Sequence, residues 1–314
     1  MKVQVRRRVD EARDVVALEL GAVQGELLPP FSAGAHIDVR LPSNLTRQYS
    51  LCNSPADRTR YLIGVLLDPA SRGGSKAMHA VREGEILEIS EPRNHFPLHP
   101  AAHSVLLAGG IGITPILCMA EQLAHVGASF ELHYCVRSDD RLAFRDRLAQ
   151  SDFSGRVHTY VDALPGGPHF DLQTVLANPL PEKHVYVCGP GGFIDAVVQT
   201  AAALNWAEGC VHREYFAGTE PVKEGERPFQ VRLASSGQCI PVHPTQSIAQ
   251  ALMAHGIDVP LSCEQGVCGT CLTRVLKGEP DHRDLYLSRA EREAHDQILV
   301  CCSRSRSAEL ILDI

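Results

Sequence analysis

Residues 263–271 read CEQGVCGTC, and two adjacent cysteines, Cys301 and Cys302, follow later in the chain. The spacing, C-x4-C-x2-C with a distant fourth cysteine, is the plant-type ligand pattern of a 2Fe–2S cluster. A tight loop supplies three thiolates, and a segment elsewhere brings the fourth. The loop cysteines are Cys263, Cys268 and Cys271. A structural zinc site is the alternative, but zinc usually takes two C-x2-C-like hooks and only one is present. On spacing alone, either distant cysteine can be the fourth ligand.

The chain divides into four segments, and the last of them contains this loop. Residues 1–100 hold short alternating apolar runs separated by turn residues, which predicts a small β-barrel or sandwich. Residues 101–216 alternate continuous apolar runs with helical patterns, which predicts an α/β domain with a parallel sheet. Residues 217–228 are charged and contain two Pro and two Gly, so they predict a linker. Residues 229–314 mix strands with a short helix and contain the cysteine loop.

Length, composition and charge exclude several classes of protein. The 314 residues, 44% of them hydrophobic, predict two or three globular domains and exclude a disordered or fibrous chain. A net charge of -7 argues against nucleic-acid binding. No apolar run reaches the ~18 residues of a membrane span, and the basic start lacks the apolar segment of a secretory signal. Eleven cysteines without such a signal favour metal binding and packing over disulfides, so we expect a cytoplasmic protein.

Two glycine turns follow apolar strands in the α/β region. Residues 106–115 read LLAGGIGITP, with Thr114 as the expected helix N-cap and Pro115 as the first helical residue. Residues 184–193 read HVYVCGPGGF. A strand, a glycine turn and a helix in an α/β domain can bind a dinucleotide pyrophosphate, although each turn alone also fits tight packing. Considered without the Gly-Pro that follows it, Cys188 is likewise consistent with a small buried packing residue at the end of a strand.

A third motif, RQYS at residues 47–50, lies in the β region and resembles the flavin signature of ferredoxin-reductase-like barrels, which implies the following roles. The Arg47 guanidinium can bind a phosphate with two hydrogen bonds, and Tyr49 can lie against a flavin ring. Ser50 can donate a hydrogen bond near the flavin N5. A glycine turn before a helical stretch adds backbone N–H groups that can receive the phosphate; its residues are Gly73, Gly74 and Ser75. The alternative is an ordinary strand with an exposed arginine.

Together these motifs resemble the phthalate dioxygenase reductase family, which includes vanillate O-demethylase oxidoreductases. The resemblance extends from RQYS, through GGIGITP and CGP, to the cysteine loop, EPDHRD at 279–284 and VCCSR at 300–304. It implies a multidomain protein: an antiparallel β-barrel flavin domain of the ferredoxin-reductase type, an α/β nucleotide-binding domain with a parallel sheet, and an α+β plant-type ferredoxin (β-grasp) domain. In the family the cysteine of V-C-x-S-R is the fourth iron ligand, which here is Cys301.

The resemblance also implies the cofactor sites. FMN is expected at Arg47, Tyr49, Ser50, Gly73, Gly74 and Ser75, with Phe216 brought back onto the flavin. NADH is expected at Gly109, Gly110, Gly112, Thr114, Pro115, Arg137, Ser138, Cys188, Gly189 and Pro190. Cys188 and Ser50 are the expected catalytic residues, beside the nicotinamide and the flavin. Asp139 and Asp140 would repel the 2′-phosphate of NADPH, although Arg137 acts in the opposite direction.

The implied function is the reductase component of a multicomponent oxygenase. Electrons pass from NADH through FMN and the 2Fe–2S cluster to a Rieske non-haem iron oxygenase that O-demethylates or hydroxylates an aromatic compound. A flavin is needed because a hydride carries two electrons and the cluster accepts one. The cofactors supply the chemistry, and the protein binds and orients them. We expect a monomer. Two alternatives remain: an electron donor to a cytochrome P450 or a carnitine-type oxygenase, and a flavin and iron–sulfur redox sensor.

One more expectation concerns the orientation of the two adjacent cysteines, Cys301 and Cys302. Ile298-Leu299-Val300 is an apolar run that predicts a strand continuing into Cys301 and Cys302. Successive side chains on a strand point to opposite faces. If Cys301 faces the cluster, Cys302 should therefore face away from it.

Overall fold

The computed structural model describes residues 1–41, 45–69, 71, 73–164, 166–216 and 226–314. The chain divides into two compact units, Met1–Phe216 and Ala217–Ile314. The first unit contains both the expected barrel and the expected α/β region. The second contains the cysteine loop.

The first unit begins with an antiparallel sheet. Its strands are β1 (Lys2–Ala12), β2 (Val15–Ala22), β3 (Ala35–Leu41), β4 (Leu45–Ser50), β5 (Tyr61–Leu66), β6 (Ile86–Ile89) and β7 (Arg93–Asn94), with helix α1 (Gly74–Ala80) between β5 and β6. The strand order is β4-β3-β6-β1-β2-β5, and β7 also pairs with β3. A bridge between Leu51 and Ile63 joins the two ends of this order, so the sheet closes on itself. Alternate apolar residues of the strands fill the interior, as Val3 and Val5 do in β1.

A parallel sheet completes the first unit. Its elements are β8 (His103–Gly109), α2 (Ile113–His125), β9 (Phe130–Val136), α3 (Arg145–Ala149), β10 (Val157–Val161), α4 (Leu172–Val175), β11 (Lys183–Cys188), α5 (Gly191–Ala203) and β12 (Val211–Glu214). The strand order is β10-β9-β8-β11-β12, and every pairing is parallel. Because the strands are parallel, the turns after β8, β9 and β11 all lie at one edge of the sheet.

The start of α2 differs from its expectation. A short 3-10 turn over Gly110–Gly112 runs directly into the helix, which therefore begins at Ile113. Thr114 is not the N-cap, because it lies inside the first turn and its hydroxyl donates to the Ile111 carbonyl at 3.0 Å. Pro115 is likewise not the first helical residue. It is tolerated two positions further in, as the third helical residue, because N–H groups of the first turn have no partner within the helix.

The second unit is a mixed sheet crossed by one helix. Its elements are β13 (Phe229–Leu233), β14 (Cys239–Val242), α6 (Ile248–Ala254), β15 (Leu272–Lys277), β16 (Pro280–Asp281), α7 (Arg289–Ala294), β17 (Gln297–Leu299), β18 (Arg304–Ser305) and β19 (Glu309–Leu312). The main sheet has the order β14-β13-β19-β15-β17, in which β13 and β19 are parallel. Apolar residues of α6, such as Ile248 and Leu252, pack on this sheet. Helices α6 and α7 begin with capping boxes at Ser247 and Ser288.

The expected linker is only partly described, because residues 217–225 lie outside the described residues. Glu226, near its end, belongs to the second unit. The Glu226 side chain is only 7% exposed and forms ion pairs with Arg283 and Arg304. Arg304 is itself buried and also donates to the Gln246 carbonyl at 2.7 Å. In the part of the expected linker that the structure describes, the ion pairs of Glu226 therefore fix the chain to the second unit.

Candidate functional site

The residues expected to bind flavin lie on β4. Arg47 and Tyr49 are two positions apart and share one face of the strand, whereas Ser50 has the opposite orientation. A Cβ added at Gly74 would lie 2.7 Å from Arg47 Nε, so the arginine lies directly against the glycine turn. Burial raises the pKa of the Tyr49 phenol above its ordinary value, which keeps it protonated at neutral pH. The structure thus brings the RQYS arginine and the glycine turn together.

The glycine turn itself is held by internal hydrogen bonds. Gly73 precedes α1 with a φ of 103°, in the region that favours glycine. The Ser75 hydroxyl accepts a hydrogen bond from the Asp68 backbone N–H at 3.1 Å. The Ser71 hydroxyl accepts one from the Gly73 N–H at 3.2 Å. Arg72, in the middle of the turn, lies outside the described residues.

The two glycine turns of the parallel sheet are in direct contact. Strands β8 and β11 are neighbours, with Ala108 opposite Cys188, so their turns begin side by side. A Cβ at Gly112 would lie 2.2 Å from the Cys188 carbonyl oxygen. One at Gly109 would lie 2.9 Å from Pro190 Cδ. These glycines allow the two turns to approach more closely than any other residue would permit. Gly110 and Gly189 lie in the same pair of turns.

Both expected catalytic residues contact a third residue, Glu214. Glu214 is the last residue of β12 and lies opposite Cys188 in the parallel register. Its Oε2 atom is 3.5 Å from Ser50 Oγ. Burial raises the pKa of Glu214 to about 8, against a lowering by the Ser50 hydroxyl. Burial and then the nearby Glu214 raise the pKa of the Cys188 thiol, so both groups are neutral at pH 7.

Sequence reasoning did not identify Glu214 as a site residue, although it named Phe216 nearby. Its only sequence signal is its place two residues before Phe216. Phe216, the aromatic residue expected at the flavin, is 37% exposed. It lies two residues after Glu214, the last residue of β12, whose side chain contacts Ser50. The barrel and the parallel sheet therefore meet where the sequence predicts that flavin and nicotinamide react.

The expected adenosine residues follow β9 at the same edge of the sheet. Arg137 is exposed, and the Ser138 hydroxyl donates to an Asp140 carboxylate oxygen. Asp139 and Asp140 each pair with an arginine; the partners are Arg145 and Arg13. Each ion pair offsets part of the negative charge on which the predicted preference for NADH depends.

The four cysteines expected to bind iron are buried, and their thiols lie close enough to perturb one another's pKa values. Cys263 pairs with Cys268, and Cys271 pairs with Cys301. The interaction between the Cys263 and Cys268 thiols lowers the pKa of Cys268 and raises that of Cys263. Hydrogen bonding to Cys301 raises the pKa of Cys271. Buried thiols in such proximity cannot all ionise without a positive charge beside them, which a metal centre supplies.

Backbone amides of the loop are directed at these sulfurs. The Gln265 N–H donates to Cys263 Sγ at 3.3 Å, and the Gly266 N–H interacts with the Cys301 sulfur. Gly266 has a φ of 72°, and a Cβ there would lie 2.5 Å from Cys302 Sγ. Only glycine fits at this position. Amide donors around sulfur stabilise clustered negative charge, as an iron–sulfur centre requires.

The segment with the adjacent cysteines differs from its expectation. Strand β17 ends at Leu299, and Cys301 and Cys302 lie in a turn in which the Ser303 N–H donates to the Leu299 carbonyl at 3.0 Å. The expected strand alternation is therefore wrong. The Cys301 sulfur pairs with Cys271, which lowers its pKa, but contact with Cys302 and burial outweigh this and raise it to about 12. Cys302 is 1% exposed, with its Sγ 3.8 Å from the Leu299 carbonyl oxygen.

The residues present fit the groups that the sequence implies. Four buried thiols with amide donors suit a thiolate-bound cluster, and no histidine was expected among the ligands. Arg47 against the Gly74 turn provides a cation and backbone donors for a phosphate. The closely packed turns after β8 and β11 provide the glycine surface that a dinucleotide needs.

Comparison with known proteins identifies two of these regions independently. A sequence model described as an oxidoreductase NAD-binding domain matches residues 106–199. A second, described as a 2Fe-2S iron-sulfur cluster binding domain, matches residues 231–306. The first includes both glycine turns, and the second includes all of the paired cysteines.

Relatives of known activity match the whole chain. Vanillate O-demethylase oxidoreductase of Pseudomonas putida is 53% identical over 310 residues, covering 98% of each chain. Phthalate dioxygenase reductase of Burkholderia cepacia is 41% identical over 317 residues, covering 100% of this chain and 97% of the relative. A solved structure of phthalate dioxygenase reductase, described as modular for electron transfer from pyridine nucleotides to [2Fe-2S], matches with a TM-score of 0.78 and 41% identity, covering 100% of this chain and 98% of that one.

A type IV self-sufficient cytochrome P450 monooxygenase also matches, with a TM-score of 0.84 and 40% identity. The match covers 100% of this chain but only 41% of the P450 chain. Fold, site and comparisons define an oxidoreductase that uses NAD, a flavin and a 2Fe–2S cluster. The chain belongs to the family of oxygenase reductases that includes phthalate dioxygenase reductase and vanillate O-demethylase oxidoreductase. The expected fold class, cofactors and role as a reductase of an oxygenase system are therefore confirmed.

Proposed function

We propose that this protein supplies electrons from NADH to a Rieske non-haem iron oxygenase that O-demethylates a methoxylated aromatic acid. The observation that best supports this proposal is the 53% identity with vanillate O-demethylase oxidoreductase over 98% of both chains. Ring hydroxylation is the alternative reaction of the oxygenase partner. It is supported by the 41% identity between this chain and phthalate dioxygenase reductase.

The flavin site of the proposal consists of β4 and the glycine turn before α1. Arg47 and the N–H groups of Gly73 and Gly74 bind the FMN phosphate. Tyr49 and Phe216 lie against the ring system, and Ser50 donates a hydrogen bond to it. Ser75 contributes by holding the turn closed, because its hydroxyl already accepts from the Asp68 N–H.

The nicotinamide site of the proposal lies at the edge where the two glycine turns meet. The turns bind the pyrophosphate, and Arg137 and Ser138 contact the adenosine end. Cys188 limits the position of the nicotinamide, next to Ser50 and Glu214. Glu214, with a pKa of about 8, holds a proton at neutral pH and can hydrogen-bond without adding a charge to the hydride path. When bound, the flavin accepts the hydride and the cluster accepts single electrons.

The metal site of the proposal uses the two pairs of interacting thiols. Cys263 and Cys268 bind one iron, and Cys271 and Cys301 bind the other. The supporting observation is the pairwise interaction of their thiols. Cys302, whose thiol interacts with that of Cys301, is assigned to packing.

The proposed setting is the cytoplasm, with the protein acting as a monomer that docks transiently on the oxygenase. All eleven cysteines are described, and none of them forms a disulfide, in keeping with a reducing compartment. None of the helices in the described ranges is long and apolar enough to cross a bilayer.

The test is reconstitution with purified terminal components. We expect NADH-dependent release of formaldehyde from vanillate with a vanillate O-demethylase oxygenase, and little turnover with a P450. The matched control is Cys301→Ala, which should still oxidise NADH with ferricyanide but support no demethylation. Coupling to a P450 alone would contradict the proposal.

Electron donation to a P450 is the second candidate. It is favoured by the TM-score of 0.84 to the self-sufficient P450, whose chain this protein matches over 41% of its length. A redox sensor, the remaining alternative, would not sustain rapid NADH-dependent reduction of cytochrome c.

A further inference from the structure

A cluster of metal-ligating side chains lies on the parallel sheet, outside the residues assigned to any cofactor. Glu131 and His133 are two positions apart on β9, and His158 on β10 lies directly opposite His133. One ligand atom from each residue lies within 4.8 Å of the others. The three residues therefore share one face of two neighbouring strands.

The sequence of β9 explains why polar groups gather there. Leu132 and Tyr134 point to the opposite face, where they are fully buried against α2. The face with His133 is also covered, because Tyr160 and Phe170 lie against its ring at 5.9 and 6.0 Å between centroids. His133 is only 5% exposed as a result.

The buried ring of His133 has one nitrogen without a hydrogen bond of normal geometry. Its Nε2 atom makes an ion-pair contact with Glu131 Oε2 at 3.4 Å. Burying a polar nitrogen without a hydrogen bond is unfavourable, and such atoms are rare in folded proteins. An imidazole nitrogen of this kind beside a carboxylate is a position at which a cation would satisfy both groups.

The other nitrogen of His133 has the partner that a metal-bound histidine needs. His133 Nδ1 lies 3.0 Å from the Tyr160 hydroxyl oxygen. When Nδ1 carries the proton and donates to this oxygen, Nε2 keeps a free lone pair directed towards Glu131. Metal-binding histidines usually have such an orienting hydrogen bond on the second nitrogen.

The distances also suit a small divalent ion. Zinc bonds of about 2.0–2.1 Å in tetrahedral geometry place two ligand atoms about 3.3 Å apart. Glu131 Oε2 and His133 Nε2 are separated by 3.4 Å. The His158 ring stacks on the His133 ring with 4.9 Å between centroids and has a ligand atom within 4.8 Å of the other two, and water can fill the remaining position.

We propose that Glu131, His133 and His158 bind a divalent transition-metal ion such as Zn²⁺. Two imidazoles and one carboxylate favour zinc and its neighbours over magnesium or calcium, which prefer oxygen ligands. The ion joins β9 to β10, the edge strand of the sheet, and has no part in electron transfer. Its role is to stabilise this edge of the NAD-binding domain.

The test uses tag-free holoprotein dialysed against buffered micromolar Zn²⁺, with zinc and iron measured on the same sample. We expect one zinc per chain with no loss of iron. His158→Ala and Glu131→Gln should each weaken zinc binding at least about tenfold, as should Tyr160→Phe through its orienting hydrogen bond. His125→Ala, at an exposed histidine of α2, is the matched control and should bind zinc normally.

A second measurement separates this site from the cysteines. Co²⁺ in place of Zn²⁺ should give visible d–d bands without the near-ultraviolet sulfur charge-transfer bands of thiolate ligands. Zinc should also raise the thermal midpoint of the wild type and not that of His158→Ala. The proposal is overturned if the wild type takes up no zinc, if both ligand variants bind it unchanged, or if zinc uptake matches iron loss.

Discussion

Replacing Gly112 by alanine tests whether the contact between the two glycine turns is required. The new Cβ would lie 2.2 Å from the Cys188 carbonyl oxygen and 2.6 Å from the Gly189 nitrogen. Ordinary van der Waals contacts begin at 3.4 Å, and both opposing atoms are backbone atoms that cannot rotate away. The start of α2 must therefore retreat by roughly 1 Å, and overpacking of this kind costs about 1–3 kcal/mol.

The functional effect should exceed the loss of stability. A displacement of about 1 Å at a site that positions reactants can reduce the rate by about 100-fold. We expect Gly112→Ala to fold, to keep its flavin and its 2Fe–2S spectrum, and to reduce ferricyanide with NADH at a kcat/KM lower by one to two orders of magnitude. Stability is measured by urea denaturation followed through Trp206, the only tryptophan, which is 7% exposed in the first unit.

The control is Gly155→Ala, at a glycine where a Cβ would meet nothing within 4 Å. It should leave stability within about 0.5 kcal/mol of the wild type and the kinetics unchanged. Wild-type stability and kcat/KM in Gly112→Ala would refute the reasoning, because they would show that the turns need not approach so closely.

Three further predictions concern the other site residues. Cys301→Ala should lose the rhombic EPR signal of the cluster and the reduction of cytochrome c, whereas Cys302→Ala should keep both and lose about 1 kcal/mol of stability in the second unit. Between pH 4.5 and about 8 the folded chain holds a proton on Glu214 that the unfolded chain has lost, so this group makes stability fall as pH rises. Glu214→Gln should therefore gain stability relative to the wild type from pH 5 to 8 in urea denaturation, and a constant difference would contradict the raised pKa. NADH should give a higher kcat/KM than NADPH, and Asp139→Ala should narrow the difference; equal values in the wild type would contradict the assignment of the adenosine end.

Short-range patterns were sufficient for the fold class, and they also carry much of the prediction of the site. The spacing of the cysteine loop depends on local geometry, because one tight loop must present three sulfurs. The glycine turns after β8 and β11 are also local signals, since close approach and helix starts leave clear residue preferences.

The errors arose where the outcome depends on neighbouring turns or on distant contacts. Thr114 has the residue type of an N-cap, but the glycines before it form a 3-10 turn that begins the helix early. The apolar run before Cys301 predicted a longer strand than the one that ends at Leu299. Glu214 was missed because its contact with Ser50 joins residues 164 positions apart. No spacing rule reports such a contact.

The central position of β19 has a consequence for how the protein is made. In the second unit β19 lies between β13 and β15, yet it leaves the ribosome after both of them. Until it emerges, β13 and β15 have no common neighbour, and the main sheet remains in two parts. Cys301 is also synthesised well after the loop cysteines. The first unit can fold during synthesis, as amino-terminal domains generally do, whereas iron must be inserted into a domain that closes only when translation has passed residue 312.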